Sequence, residues 1–169
     1  IEIQRTTSEG GVVQEAPHVT TSFQPDIGSD YIENMSLRID YYYRVGSAIS
    51  VDQLNKIEEE LVDVFGPIPD KTQNLLLVAS LKIRYKSTPV SQIDIQYSVL
   101  KIVVQPFNEE RQLLFLSQVG LYKHKSLESV RFKEVSGKLL GVFLNVSDSG
   151  NVFDLLFDFV HLFDPIDTA

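Results

Sequence analysis

Pro89 divides this sequence into two grammars, and that division constrains the fold more than any other feature. Upstream of it, from residue 31, apolar residues recur three and four positions apart; downstream, the period shifts towards two. The longer period buries one stripe of a helix and the shorter one buries one face of a strand, so the chain should segregate its helices from its sheet. The expectation is an α+β domain: an N-terminal three-helix segment packed with a small, mostly antiparallel sheet and a C-terminal amphipathic helix.

The first helix is expected from Tyr31 to Ala48, with Ile32, Met35, Ile39, Tyr42, Tyr43 and Val45 near helical spacing. Ser50 can cap a second, whose stripe is Val51, Leu54, Ile57, Leu61, Val62 and Phe65. In "ELVDVFGPIPD", Gly66 and Pro67 stop that helix and Pro69-Asp70 start the next. The third runs from about Asp70 to Lys86, and "NLLLVASLKI" is apolar nearly all round, as a central buried helix must be.

Beyond Pro89, "SQIDIQYSVLKIVVQP" alternates and is rich in β-branched residues, which predicts a hairpin turning near Tyr97-Ser98. "NEERQLLFLSQVGL" predicts a helix capped by Asn108, with Glu109 and Glu110 in its first turn. Two strands are expected around Ser136-Gly137, then an amphipathic helix, "NVFDLLFDFVHLFD", ended by Pro165. "HVTTSF" can add one short strand. Residues 1–17, rich in Thr, Ser, Glu and Gly, suit a linker or frayed terminus, leaving 18–169 as a single domain of a longer protein.

At 169 residues and 43% hydrophobic, the chain has material for one substantial core. Its formal charge of −8 repels phosphate backbones, so no direct nucleic-acid binding is expected. With no cysteine, disulfides, thiolate nucleophiles and cysteine metal sites are all excluded. No basic-apolar leader and no long apolar run occurs, so a soluble, cytoplasmic chain with no membrane partner is expected.

Catalytic signatures are lacking. "VSGKLL" has the Gly-Lys pair of a phosphate loop but neither the upstream glycine nor the following Ser or Thr, and reads as a hairpin turn. His18, His124 and His161 are isolated. Asp154, Asp158 and His161 recur at i, i+4 and i+7, the nearest approach to a metal set, but they also describe the solvated face opposite Phe153, Leu156, Phe157, Val160 and Phe163. No catalytic residue, cofactor site or metal site is assigned within this chain.

The second helix carries the odd feature. Steps of about 100° place Lys56, Glu59, Glu60 and Asp63 opposite its apolar stripe. Glu60 and Asp63 stand at i and i+3, where like charges repel, and both lie near a helix C-terminus, where negative charge opposes the macrodipole. Local stability would not choose them. They either keep the domain soluble or meet a basic surface on a partner, and reversing both to Lys is expected to leave the fold intact.

Residues 31–83 resemble the C-terminal domain of bacterial transcription-repair coupling factors, the Mfd family. The family pattern "Y-I-x-D-x-x-x-R-L-x-x-Y-x-R-I-x-x-A" meets Tyr31, Ile32, Arg38, Ile39, Tyr42 or Tyr43, Arg44 and Ala48. Its "L-x-x-I-x-x-E-L-x-D-R-F-G-x-L-P" meets Leu54, Ile57, Glu60, Leu61, Asp63, Phe65, Gly66 and Pro69, and "N-L-L-x-x-A-x-L-K" meets Asn74, Leu75, Leu76, Ala79, Leu81 and Lys82. Two departures are Val64 for the family's Arg and Asn34 for its Asp.

The resemblance implies a non-enzymatic regulatory domain of an ATP-driven DNA translocase, whose ATP and magnesium belong to motor domains outside this chain. It implies an intramolecular clamp onto a UvrB-like domain that masks UvrA recruitment, with indirect links to UvrA and RNA polymerase. It also implies that Glu60 and Asp63 are the interdomain contact, meeting arginines. The alternative is a generic acidic protein–protein interaction module.

Overall fold

A computed structural model describes residues 15–137, 139–147 and 151–164. Most of the linker assigned to residues 1–17, and the helix stop at Pro165, lie outside the described residues. The element order is β1 (His18–Thr21), α1 (Met35–Ser47), α2 (Val51–Phe65), α3 (Asp70–Tyr85), β2 (Val90–Ile95), β3 (Val99–Val104), α4 (Glu109–Leu121), β4 (Leu127–Ser136), β5 (Leu139–Val146), α5 (Val152–Phe159) and a 3₁₀ turn, Val160–Phe163. This is the expected α+β architecture.

The sheet runs β1-β2-β3-β5-β4, with β1 parallel to β2 and every other pairing antiparallel. Leu100 stands opposite Leu144 and Ile102 opposite Val142, while Ile95 and Ile93 continue the same rows on β2. A period of two thus delivers an unbroken apolar face, on which Phe115, Val119, Phe153, Leu156, Phe159 and Phe163 pack. Phe115 stacks on Phe163 with ring centroids 4.7 Å apart.

The buried residues form two clusters where composition suggested one. The second gathers Ile27, Ile32, Tyr41, Val45, Leu54, Ile57, Leu61 and Leu76 around the N-terminal helices. Helix α3 belongs to both: Leu76 lies in the helical cluster, Leu81 and Tyr85 in the sheet cluster, and the Tyr85 hydroxyl donates to the Leu156 carbonyl at 2.6 Å. Two partners on opposite sides explain why this helix is apolar nearly all round.

Helix α1 departs from expectation. It starts at Met35 with Asn34 as N-cap, whose side chain accepts from the Leu37 amide at 3.1 Å. Tyr31 and Ile32 precede it in a turn pinned by Arg38, which donates to the carbonyls of Ile32 and Glu33 at 2.7 and 2.9 Å. Its buried face is Tyr41 and Val45, whereas Met35, Ile39 and Tyr43 are exposed. The inward face is chosen by Tyr41, whose ring packs edge-on against Phe65 while its hydroxyl reaches a carboxylate on α2. Val62 of the expected α2 stripe is likewise exposed.

Candidate interdomain docking surface

Helix α2 begins where Ser50 accepts from the Gln53 amide, at 3.2 Å, and ends at Gly66, whose φ of 85° is open to glycine. Tyr31 fixes that end by donating to the carbonyls of Leu61 and Gly66 at 3.1 and 3.0 Å. The C-terminal half of α2, which carries both acids, is therefore tied to the turn that precedes α1.

The two acids have separate surroundings. Glu60 turns towards α1, where Arg44 grips it bidentately, Nη1 to Oε1 at 2.9 Å and Nη2 to Oε2 at 2.5 Å, and Tyr41 donates to Oε1 at 2.8 Å. The Arg44 guanidinium also lies 5.0 Å from the Tyr41 ring centroid and 3.9 Å from Asp40. Asp63 is exposed and borders a shallow depression with Asn55, Glu58, Glu59 and Val62, outside which Glu60 lies. It makes no ion pair or side-chain hydrogen bond among the described residues.

The hydrogen bonds from Arg44 and then Tyr41 lower the Glu60 carboxyl to about 2 from its ordinary 4.5. The same contact raises the Arg44 guanidinium, while Tyr41 is raised by burial first and by Glu60 second. A depressed carboxyl stabilises the fold fully above its unfolded value of 4.5, and that contribution is lost as pH falls towards 2. With the side chain 42% exposed, water screens the effect to the scale of a surface pair. Urea midpoints measured downwards from pH 5 should fall more steeply for the native chain than for Glu60→Gln; parallel profiles would remove Glu60 from the acid response.

Glu60, which the sequence places opposite the apolar stripe of α2, is thus shared with Arg44 and Tyr41 of its own domain. Arg44 matched a family position in the sequence without a role, and the pairing could not be seen because it joins residues 16 apart on different helices. The three residues of the metal-like pattern do not converge either. Asp154 faces Lys125 at 3.4 Å, Asp158 accepts from the Tyr122 hydroxyl at 2.8 Å and His161 meets Asp164 at 2.9 Å. Among the described residues, no three His, Asp or Glu side chains form a metal-ligating group, and no helix is long and apolar enough to cross a membrane.

Comparison with known proteins places this geometry in a family. The chain matches the TRCF domain over residues 22–113, from the end of β1 into α4. It is 35% identical over 65 residues to the transcription-repair-coupling factor of Haemophilus influenzae, a stretch that is 38% of this chain and 6% of that protein. The transcription-repair-coupling factor of Escherichia coli K12 is 32% identical over 73 residues, 43% of this chain and 6% of its own length. In fold, the chain superposes on a crystal structure of the C-terminal domain of transcription-repair coupling factor with a TM-score of 0.68 and 15% identity, covering 89% of this chain and 91% of that one. The TRCF match takes in more than half of the chain and all of the α1–α2 surface, and the chain belongs to the TRCF domain family.

Proposed function

We propose that this domain regulates a DNA translocase of the coupling-factor type, docking through α2 onto a UvrB-like domain of the same protein and masking the surface that recruits UvrA. The observation that carries this reading is the division between two acids: Asp63 is exposed and has no partner among the described residues, while Glu60 is held in one orientation. Ordering a long acidic side chain at an interface costs about 0.5–1.5 kcal/mol, and Glu60 meets that cost before any partner arrives. Its Oε1 accepts two donors and its Oε2 one, and the side chain is partly exposed, which leaves acceptor capacity for an incoming guanidinium.

Such a contact supplies specificity more than affinity, as a clamp that must release requires. A lock of a few kcal/mol already holds the open form at the per cent level. ATP, magnesium and the links to RNA polymerase belong to other domains of the translocase. In the full-length protein, deletion of residues 31–169 should raise UvrA affinity, measured by titration with purified UvrA. Unchanged affinity sinks the clamp.

A second reading, a general acidic protein-binding module, draws on the exposed Met35, Ile39 and Tyr43 of α1. The two separate on whether UvrA affinity responds to the deletion at all.

A further inference from the structure

Alternation along the three C-terminal strands sends Leu100, Ile102, Val142 and Leu144 into the core and Lys101, Val103, Gly141, Phe143, Arg131 and Lys133 to the opposite face. Across that face, Lys101 and Arg131 both stand opposite Phe143, one on each side, and Val103 and Lys133 both stand opposite Gly141. Arg131 and Lys133 are exposed, Lys101 and Phe143 partly so.

Gly141 shapes the centre. A Cβ there would lie 2.4 Å from Val135 Cγ2 and 3.0 Å from Phe143 Cε2. Those side chains close over the glycine, with the buried Val103 beneath, and make a low apolar platform bordered by three cations. None of the three pairs with a carboxylate among the described residues. In a chain of net charge −8, solubility does not call for unpaired cations grouped around an aromatic ring.

The anion that fits is short. Three cations would displace counterions from only about three phosphates, giving weak nucleic-acid binding, and Asp94, opposite Lys101 on β2, places a negative charge where a strand crossing the sheet would continue. A protein segment with one apolar side chain between carboxylates matches both the platform and its border, and at a Debye length of about 8 Å it meets the local charge rather than the distant acids. We propose that the β3–β5–β4 face docks a protein segment in which an apolar side chain is flanked by carboxylates. This surface uses no residue of α1 or α2 and does not depend on the clamp.

The test is an NMR titration of the isotopically labelled chain with a synthetic peptide of one phenylalanine between two acidic pairs, beside its lysine-flanked counterpart and an oligothymidylate. Saturable shifts at the amides of residues 101, 131, 133 and 143 are expected with the acidic peptide. Affinity should fall about tenfold in Arg131→Glu, a change at an exposed position, and further in Lys101→Glu, each checked for an unaltered thermal transition. No saturable shift, shifts centred elsewhere, equal binding of the lysine-flanked peptide, or tighter binding of the oligonucleotide at these amides would each overturn the proposal.

Discussion

Leu61→Ala should lower unfolding stability by about 3–4 kcal/mol, the range for a fully buried leucine whose surroundings relax only partly. Leu61 is completely buried between the helices of the N-terminal cluster, one residue after Glu60. Because α3 contributes to both clusters, damage to one should be felt by the other, and urea unfolding followed by tyrosine fluorescence and by far-ultraviolet circular dichroism should move together. Two separated transitions would show that the helical layer and the sheet layer fold as independent units. A loss below about 1 kcal/mol would mean that the helices close over the cavity.

Reversal of the two acids should have opposite profiles. Glu60→Lys removes a bidentate partner from Arg44, strands the Tyr41 hydroxyl and places two cations together, so it should cost about 1–2 kcal/mol, discounted for the partial exposure of the pair. Asp63→Lys breaks no ion pair or side-chain hydrogen bond among the described residues and removes negative charge from a helix C-terminus; stability should stay within about 0.5 kcal/mol of the parent. Binding to the UvrB-like domain proposed as its partner, titrated by calorimetry, should weaken about tenfold or more for Asp63→Lys. Equal affinity of Asp63→Lys and the native chain would leave the acidic depression as a solubilising face. The double reversal is therefore the wrong experiment: its effect on docking would be mixed with the instability that Glu60→Lys brings alone.

Much of the architecture was legible because local rules decide it. Ser50 and Asn108 each cap the helix that follows, as the sequence indicates, and Gly66 ends one. The hairpins turn where the sequence placed Tyr97-Ser98 and Ser136-Gly137, with Gly137 at a φ of 58°. The face of α1 was not legible. Met35, Ile39 and Tyr43 have the spacing of a core stripe, yet Tyr41 is buried in their place, because a tyrosine can bury its ring only where its hydroxyl finds an acceptor. That acceptor, Glu60, is supplied by another helix.

The sequence by itself determined which segments are helix and which are strand, that Gly66 ends α2, and that two carboxylates sit where their own helix disfavours them. Period, caps and turn residues act within a few positions, so a single strand of text contains them. Tertiary structure alone decided what those carboxylates do. Arg44 and Tyr41 on α1 claim Glu60 and leave Asp63 unpaired among the described residues, and strand register assembles Lys101, Phe143 and Arg131 into one row from three strands. Charge and hydrogen bonding act through space over a few ångströms, and only the packed chain brings such distant residues within that range.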